Sequence, residues 1–212
     1  MRKFLFALPL FVAVPLLAQS GAPSAPGTKD AARVTAGNYT ADANHTLIGW
    51  RVSHLGFNDY FGIFGSVRGT LSLDPQNPNA AKVDMTIPVG KVTTASAGLT
   101  EHLLRAGKDG GKPDFFGPAP ADARFVSTKV EATGTTAKIT GDMTLNGVTK
   151  PVVLDAEFSG AGTTPAMMGG KETVGFHAKT TINRSDFGVN MAIPFVSDAV
   201  ALDITVAFEK VK

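Results

Sequence analysis

The chain has 212 residues and a mass of 22.0 kDa, 43% hydrophobic and 18% charged, which suits one substantial core and is too little for two comfortable domains. Its formal charge of +2 rests on Arg2 and Lys3, since without them the 20 Lys and Arg fall to 18 against 18 Asp and Glu, and no block of like charge remains to attract nucleic acid or an acidic membrane surface. There is no cysteine, which excludes disulfides and a lipid-modified cysteine, and 23 Gly with 13 Pro favour turns over long helices.

Arg2 and Lys3 precede the apolar run Phe4 to Leu17, closed by Ala18-Gln19-Ser20, the three-part pattern of a cleavable secretory signal over residues 1–20. The run is short for a bilayer span, so an uncleaved anchor is the weaker reading and a periplasmic destination is expected. From Gly21 to Ala36 the composition is Gly, Ala, Pro, Ser and Thr with a few charges, so residues 21–37 are expected as a flexible linker and residues 38–212 as the folded domain.

Order should begin near Tyr39. In Thr46 to His54, Ile48, Trp50, Val52 and His54 share one parity opposite Gly49, Arg51 and Ser53, the period of a strand with one apolar face. A Gly-punctuated segment with Phe57, Tyr60, Phe61 and Phe64 leads into a second strand, Gly65 to Asp74, ended by Pro75 and Pro78. Lys82 to Val92 reads as a third, with Val83, Met85, Ile87 and Val89 on one face. The period then changes: Leu99, His102, Leu103 and Ala106 are spaced for one face of a short helix over Ala97 to Ala106, with Gly107, Gly110 and Gly111 as stop signals. Phe115-Phe116 follows in a loop, where a double aromatic either covers the end of a core or closes a pocket.

Extended structure resumes at Phe125 to Val130. Asn146-Gly147 then predicts a type I′ hairpin turn between two alternating runs, with Ile139, Gly141, Met143 and Leu145 on one face before it and Val148, Val152, Leu154, Ala156 and Phe158 on one face after it. Pro151 cannot donate to a ladder, so a bulge or an unpaired position is expected there. Thr173 to Asn183 and Val200 to Glu209 alternate again, the latter strictly. These runs, antiparallel where the turns are legible, predict an all-β domain closed into a barrel or a sandwich.

The chemistry-bearing motifs are few. The four histidines form no His-x-His or His-Glu-x-x-His pair, so any metal site would have to gather ligands from distant strands, and none is expected. His102 on the apolar helix face reads as structural, His177 as outward-facing, and His45 and His54 as strand-end groups that bond backbone or face a ligand's polar head. Arg184-Ser185-Asp186 reads as a turn with local side-chain bonds and an ion pair rather than as a site. No serine has a Gly-x-Ser-x-Gly context and no phosphate loop is present, which leaves nucleophilic and nucleotide-dependent chemistry without support.

His45-Thr46 with Trp50 and His54, Thr100 to Leu103, Asp114-Phe115-Phe116, Phe125 to Thr128, Gly141 to Val152, and Asn183 to Gly188 occur in an order that resembles the YceI-like family over about Asn38 to Lys212. Trp50, where the family often has a smaller aromatic, and an apparent insertion at Gly107 to Pro113 are the departures. The resemblance implies an exported polyisoprenoid-binding protein: an antiparallel, lipocalin-like closed barrel of about eight strands with one short helix, and an apolar tunnel holding a polyprenyl chain or quinone-type tail as ligand. It implies no cofactor, no catalytic residue and no stable membrane insertion, and suggests a homodimer.

Inward parity and loop position then nominate Trp50, Val52, His54, Phe64, Met85, Leu103, Phe115, Phe116, Phe125, Met143, Leu145, Phe176 and Phe187 as ligand-binding residues. The alternative for each apolar member is that it fills a solid core. Two other functions stay open: a periplasmic enzyme acting on an isoprenoid or other apolar substrate, and an outer-membrane barrel. The last would need aromatic girdles that two Tyr and one Trp cannot supply.

Overall fold

The computed structural model describes residues 24–211. The expected secretory signal, residues 1–20, lies outside the described residues. Among the described residues there are eleven strands and one α-helix: β1 (Gly37–Ala41), β2 (Leu47–His54), β3 (Asn58–Phe64), β4 (Arg68–Leu73), β5 (Lys82–Ile87), β6 (Val92–Thr94), α1 (Ala97–Leu104), β7 (Ala123–Thr133), β8 (Thr136–Leu145), β9 (Val148–Thr163), β10 (Glu172–Asn183) and β11 (Ala199–Lys210).

Eight of the strands close a ring in the order β1-β4-β5-β7-β8-β9-β10-β11, with β11 returning to β1 through Tyr39↔Lys210 and Ala41↔Phe208. Every pairing is antiparallel. Before it reaches β1, β11 pairs with β2 over Ala201 to Thr205, and β2 carries β3 and β6 outward as a three-stranded flap on the barrel wall. Of the barrel and the sandwich that the alternating runs left open, the structure takes the barrel, the closed antiparallel architecture with one short helix that the resemblance implied, and closure pairs both sides of the ring strands.

The hairpin at Asn146-Gly147 follows its residues directly. Asn146 has φ 52° and Gly147 φ 77°, both left-handed, as a type I′ turn requires. Pro151 pairs with Asp142 without a register shift, three pairs from the turn. Hydrogen-bonded pairs alternate along an antiparallel ladder, so the donor that Pro151 lacks would face away from β8. On that side β10 joins only from Asp155 onward, so nothing is left unpaired.

Three expectations need correction. Lys82 to Val92 is two strands rather than one, because Pro88, with no N–H to donate, breaks the ladder and the chain turns over Val89–Lys91 into β6. The segment from Asn58 to Phe64 is a strand although it does not alternate in polarity, since Phe61 and Ile63 face outward and stay exposed. Residues 24–36, expected as a free linker, are held along β9, where Thr28 and Ala161 exchange backbone hydrogen bonds.

Antiparallel order sorts the connections between two ends. At one end, the flap end, lie the β2–β3 and β8–β9 turns, the connection from β5 to β7 that carries α1, and the connection from β10 to β11. At the other lie the N-terminal segment and the β4–β5, β7–β8 and β9–β10 connections. Two clusters of buried side chains mark the wall, one around Val67, Val89, Phe125 and Phe187, the other around Tyr39, Leu71, Val174 and Phe208. Outside, cross-strand ion pairs such as Arg124–Asp84, Lys138–Asp155 and Lys179–Asp203 cover the barrel. Charge outside and apolar side chains inside are the reverse of a barrel whose outer wall meets lipid.

Candidate functional site

The inward-facing side chains of the alternating strands do not meet in the middle, and the barrel is hollow. A cavity of about 790 Å³ runs through it, lined from both ends: by Leu99, His102 and Met191 at the flap end and by Val34, Pro75 and Thr135 at the other. Its size falls in the roughly 300–1,000 Å³ range of small-molecule sites. Val83 and Met85 of β5 pack against both wall clusters and line the cavity, so the hollow lies between two packed regions rather than beside them.

Twelve of the thirteen nominated residues line this cavity. Trp50, Val52 and His54 come from β2, Phe64 from β3, Met85 from β5, Leu103 from α1, Phe125 from β7, Met143 and Leu145 from β8, and Phe176 from β10, while Phe115 and Phe116 reach it from their loop. Phe187 does not line it. It is 1% exposed in the wall, within the turn Arg184–Phe187, and its carbonyl accepts from Asn146 Nδ2 at 3.1 Å. A turn has no inward parity to read, which is why the sequence misplaced it.

The loop aromatics are fixed from two sides. The Phe116 amide donates to the Leu103 carbonyl at 3.0 Å, and its ring meets Phe64 edge-on at 6.3 Å. Phe115 stacks edge-on against the His102 ring at 5.3 Å. His102 is in turn bonded through Nε2 to Asp114 at 2.9 Å, and Arg105 Nη2 reaches the same carboxylate at 2.7 Å. Those two bonds, Arg105 first and His102 second, hold the Asp114 carboxyl below the usual carboxylate range. His102, expected as a structural residue, is bonded as such, but its ring also lines the cavity.

Trp50 owes its position to a glycine. Its indole lies flat over Gly62 of β3, where a Cβ would come within 2.1 Å of the ring. Beside it stands Tyr60, ring centroids 6.4 Å apart. Among the described residues neither the Trp50 Nε1 nor the Tyr60 hydroxyl has a hydrogen-bond partner, and both are sealed from solvent. Tyr60 was not nominated, because the non-alternating β3 disguised its inward parity.

Arg184 also borders the cavity but is spoken for. Its guanidinium donates to the carbonyls of Ser197, Val189 and Val196 at 2.8 to 3.0 Å, and burial pulls its pKa down. The expected partner for it, Asp186, is not used; Asp198 instead accepts from the Ser185 amide and hydroxyl, at 2.8 and 2.6 Å. Among the described residues no cluster of three or more His, Asp or Glu side chains could hold a metal ion, and no helix is long and apolar enough to cross a membrane.

The profile of the family described as YceI-like domain matches residues 39–208. A UPF0312 protein of Pseudomonas fluorescens (strain SBW25) is 39% identical over 186 residues, covering 86% of this chain and 91% of that protein. Among solved structures, a YCEI protein of Campylobacter jejuni superposes with a TM-score of 0.62 at 31% identity, covering 76% of this chain and 90% of the other. A polyisoprenoid binding domain from Saccharophagus degradans shares the fold with a TM-score of 0.56 at 14% identity, over 82% of this chain and 98% of that one.

Proposed function

The chain belongs to the YceI-like domain family, and from that premise we propose that it is an exported lipid-binding protein which sequesters or carries an isoprenoid lipid, a polyprenyl chain or a quinone-type tail, in the barrel cavity. The observation that carries the reading is the 790 Å³ cavity itself, apolar along its length and reaching both ends of the barrel. Each five-carbon unit moved from water into such a lining contributes on the order of 3–4 kcal/mol at about 0.8 kcal/mol per carbon. Several units together outweigh the roughly 4–15 kcal/mol lost in immobilising the ligand.

Binding is the reading we favour over catalysis because the lining is overwhelmingly apolar and Arg184, the one guanidinium at the cavity, is committed to three carbonyls. Organic extraction of freshly purified protein with mass analysis tests the reading. The expected result is an apolar, isoprenoid-containing compound in near-stoichiometric amount, unchanged in mass after prolonged incubation with the protein. Extracts without any such compound, from protein recovered in the periplasmic fraction, would contradict it.

A further inference from the structure

The N-terminal segment lies outside the family match, which begins at residue 39, yet it is built onto the barrel. Strand β9 outruns its neighbour: β8 leaves it at Glu157, and β9 continues to Thr163. The chain before β1 occupies that uncovered edge. Thr28 N–H donates to the Ala161 carbonyl at 3.1 Å, and the Ala161 amide returns a bond of 2.9 Å. Two glycines of β9 make the approach feasible, since a Cβ on Gly160 would stand 3.1 Å from the Thr28 carbonyl oxygen and one on Gly162 only 2.2 Å from that of Pro26.

Side chains secure the contact from there to β1. Lys29 pairs with Glu157, and Arg33 Nη1 folds back on the Pro26 carbonyl at 3.0 Å and on Thr28 Oγ1 at 2.8 Å. Asp30 caps the single turn Ala31–Arg33 through the Ala32 amide, and Thr35 bonds Glu172 and Lys210. The consequence is at the turn itself: Ala31 and Val34 line the cavity at the end opposite the flap.

We propose that residues 24–36 are the end plate of the lipid cavity, and that their docking on Gly160 and Gly162 sets the longest tail the barrel holds and slows its release. The inference rests on the carrier reading above and adds to it a determinant of chain length. Gly162→Val displaces the strap without altering any residue of the strap or the lining, because its side chain needs the space of the Pro26 carbonyl. Lys29→Glu, a change at a half-exposed side chain, sets two carboxylates against each other at Glu157 and keeps the test open if Gly162→Val does not fold.

The experiment loads wild-type and variant chains with prenols of increasing length, from geranylgeraniol to solanesol, and follows retention by native mass spectrometry and release by transfer to acceptor vesicles. Both variants should release geranylgeraniol faster, about tenfold for Gly162→Val if one partly buried valine contact is lost, and retain longer prenols than the wild type does. Variants that fold with wild-type thermal midpoints and show the wild-type length limit and release rate overturn the end plate while leaving the carrier reading intact. A wild-type chain that takes up no prenol overturns both.

Discussion

Buried among three carbonyl oxygens, the Arg184 guanidinium holds the Val189 to Ser197 loop to the end of β10 with no carboxylate of the described residues in ion-pair range. Arg184→Met would leave those acceptors unpaired, and at about 1–3 kcal/mol for a buried group without its partner the loss should reach about 3 kcal/mol in urea unfolding. A change within about 0.5 kcal/mol, the range of an ordinary surface substitution, would mean the loop is held otherwise. Asp198 makes the companion contact, and the Ser185 hydroxyl, then its amide, keep that carboxyl below the usual range. A carboxyl lowered in the folded state contributes stability at neutral pH and loses it as the pH falls through the lowered value. Asp198→Asn should therefore be destabilising at pH 7, with the gap to wild type closing on acidification; a gap independent of pH between neutral and strongly acid solution would refute this.

Among the elements, the β8–β9 hairpin was legible because everything it needs is local: Asn146-Gly147 at the turn and matched alternation on both sides. Gly147→Ala forces a side chain to φ 77° and should cost about 1–2 kcal/mol, measured by chemical denaturation, whereas an unchanged midpoint would argue that the turn relaxes to another type. Strand β3 was not legible, since its pairing with β2 and β6 is set by tertiary contacts while Phe61 and Ile63 erase the alternation. Proline marked the division of β5 from β6 only in retrospect, because the apolar parity of Val83, Met85 and Ile87 runs on through Val89. The strap was the hardest to foresee. Its Gly, Ala, Pro and Ser composition is that of a linker, and what orders it is the overhang of a strand more than a hundred residues away, a relation that no local pattern carries.

At the scale of the whole molecule, eight alternating strands closing a ring account for both the apolar interior and the charged exterior, and the inward positions of β2, β5, β8, β9 and β10 were readable from parity alone, whereas the bulge between Ser127 and Lys129 flips the parity of β7. What parity could not say is whether those side chains meet in the middle. They do not, because small residues such as Ala156 and Ala178 face the same interior as the aromatics and leave the hollow between the two wall clusters. The chain's single tryptophan, Trp50, stands on that interior and reports on it. The most direct measurement is a titration of delipidated protein with geranylgeraniol, followed by Trp50 fluorescence, for the wild type and for Ala178→Phe, which fills part of the hollow. Saturable binding at micromolar concentration or below, weakened on the order of 100-fold when the phenyl ring takes the place of about one isoprene unit, is the predicted result. A delipidated wild type whose emission and mass are unmoved by the prenol would contradict the account.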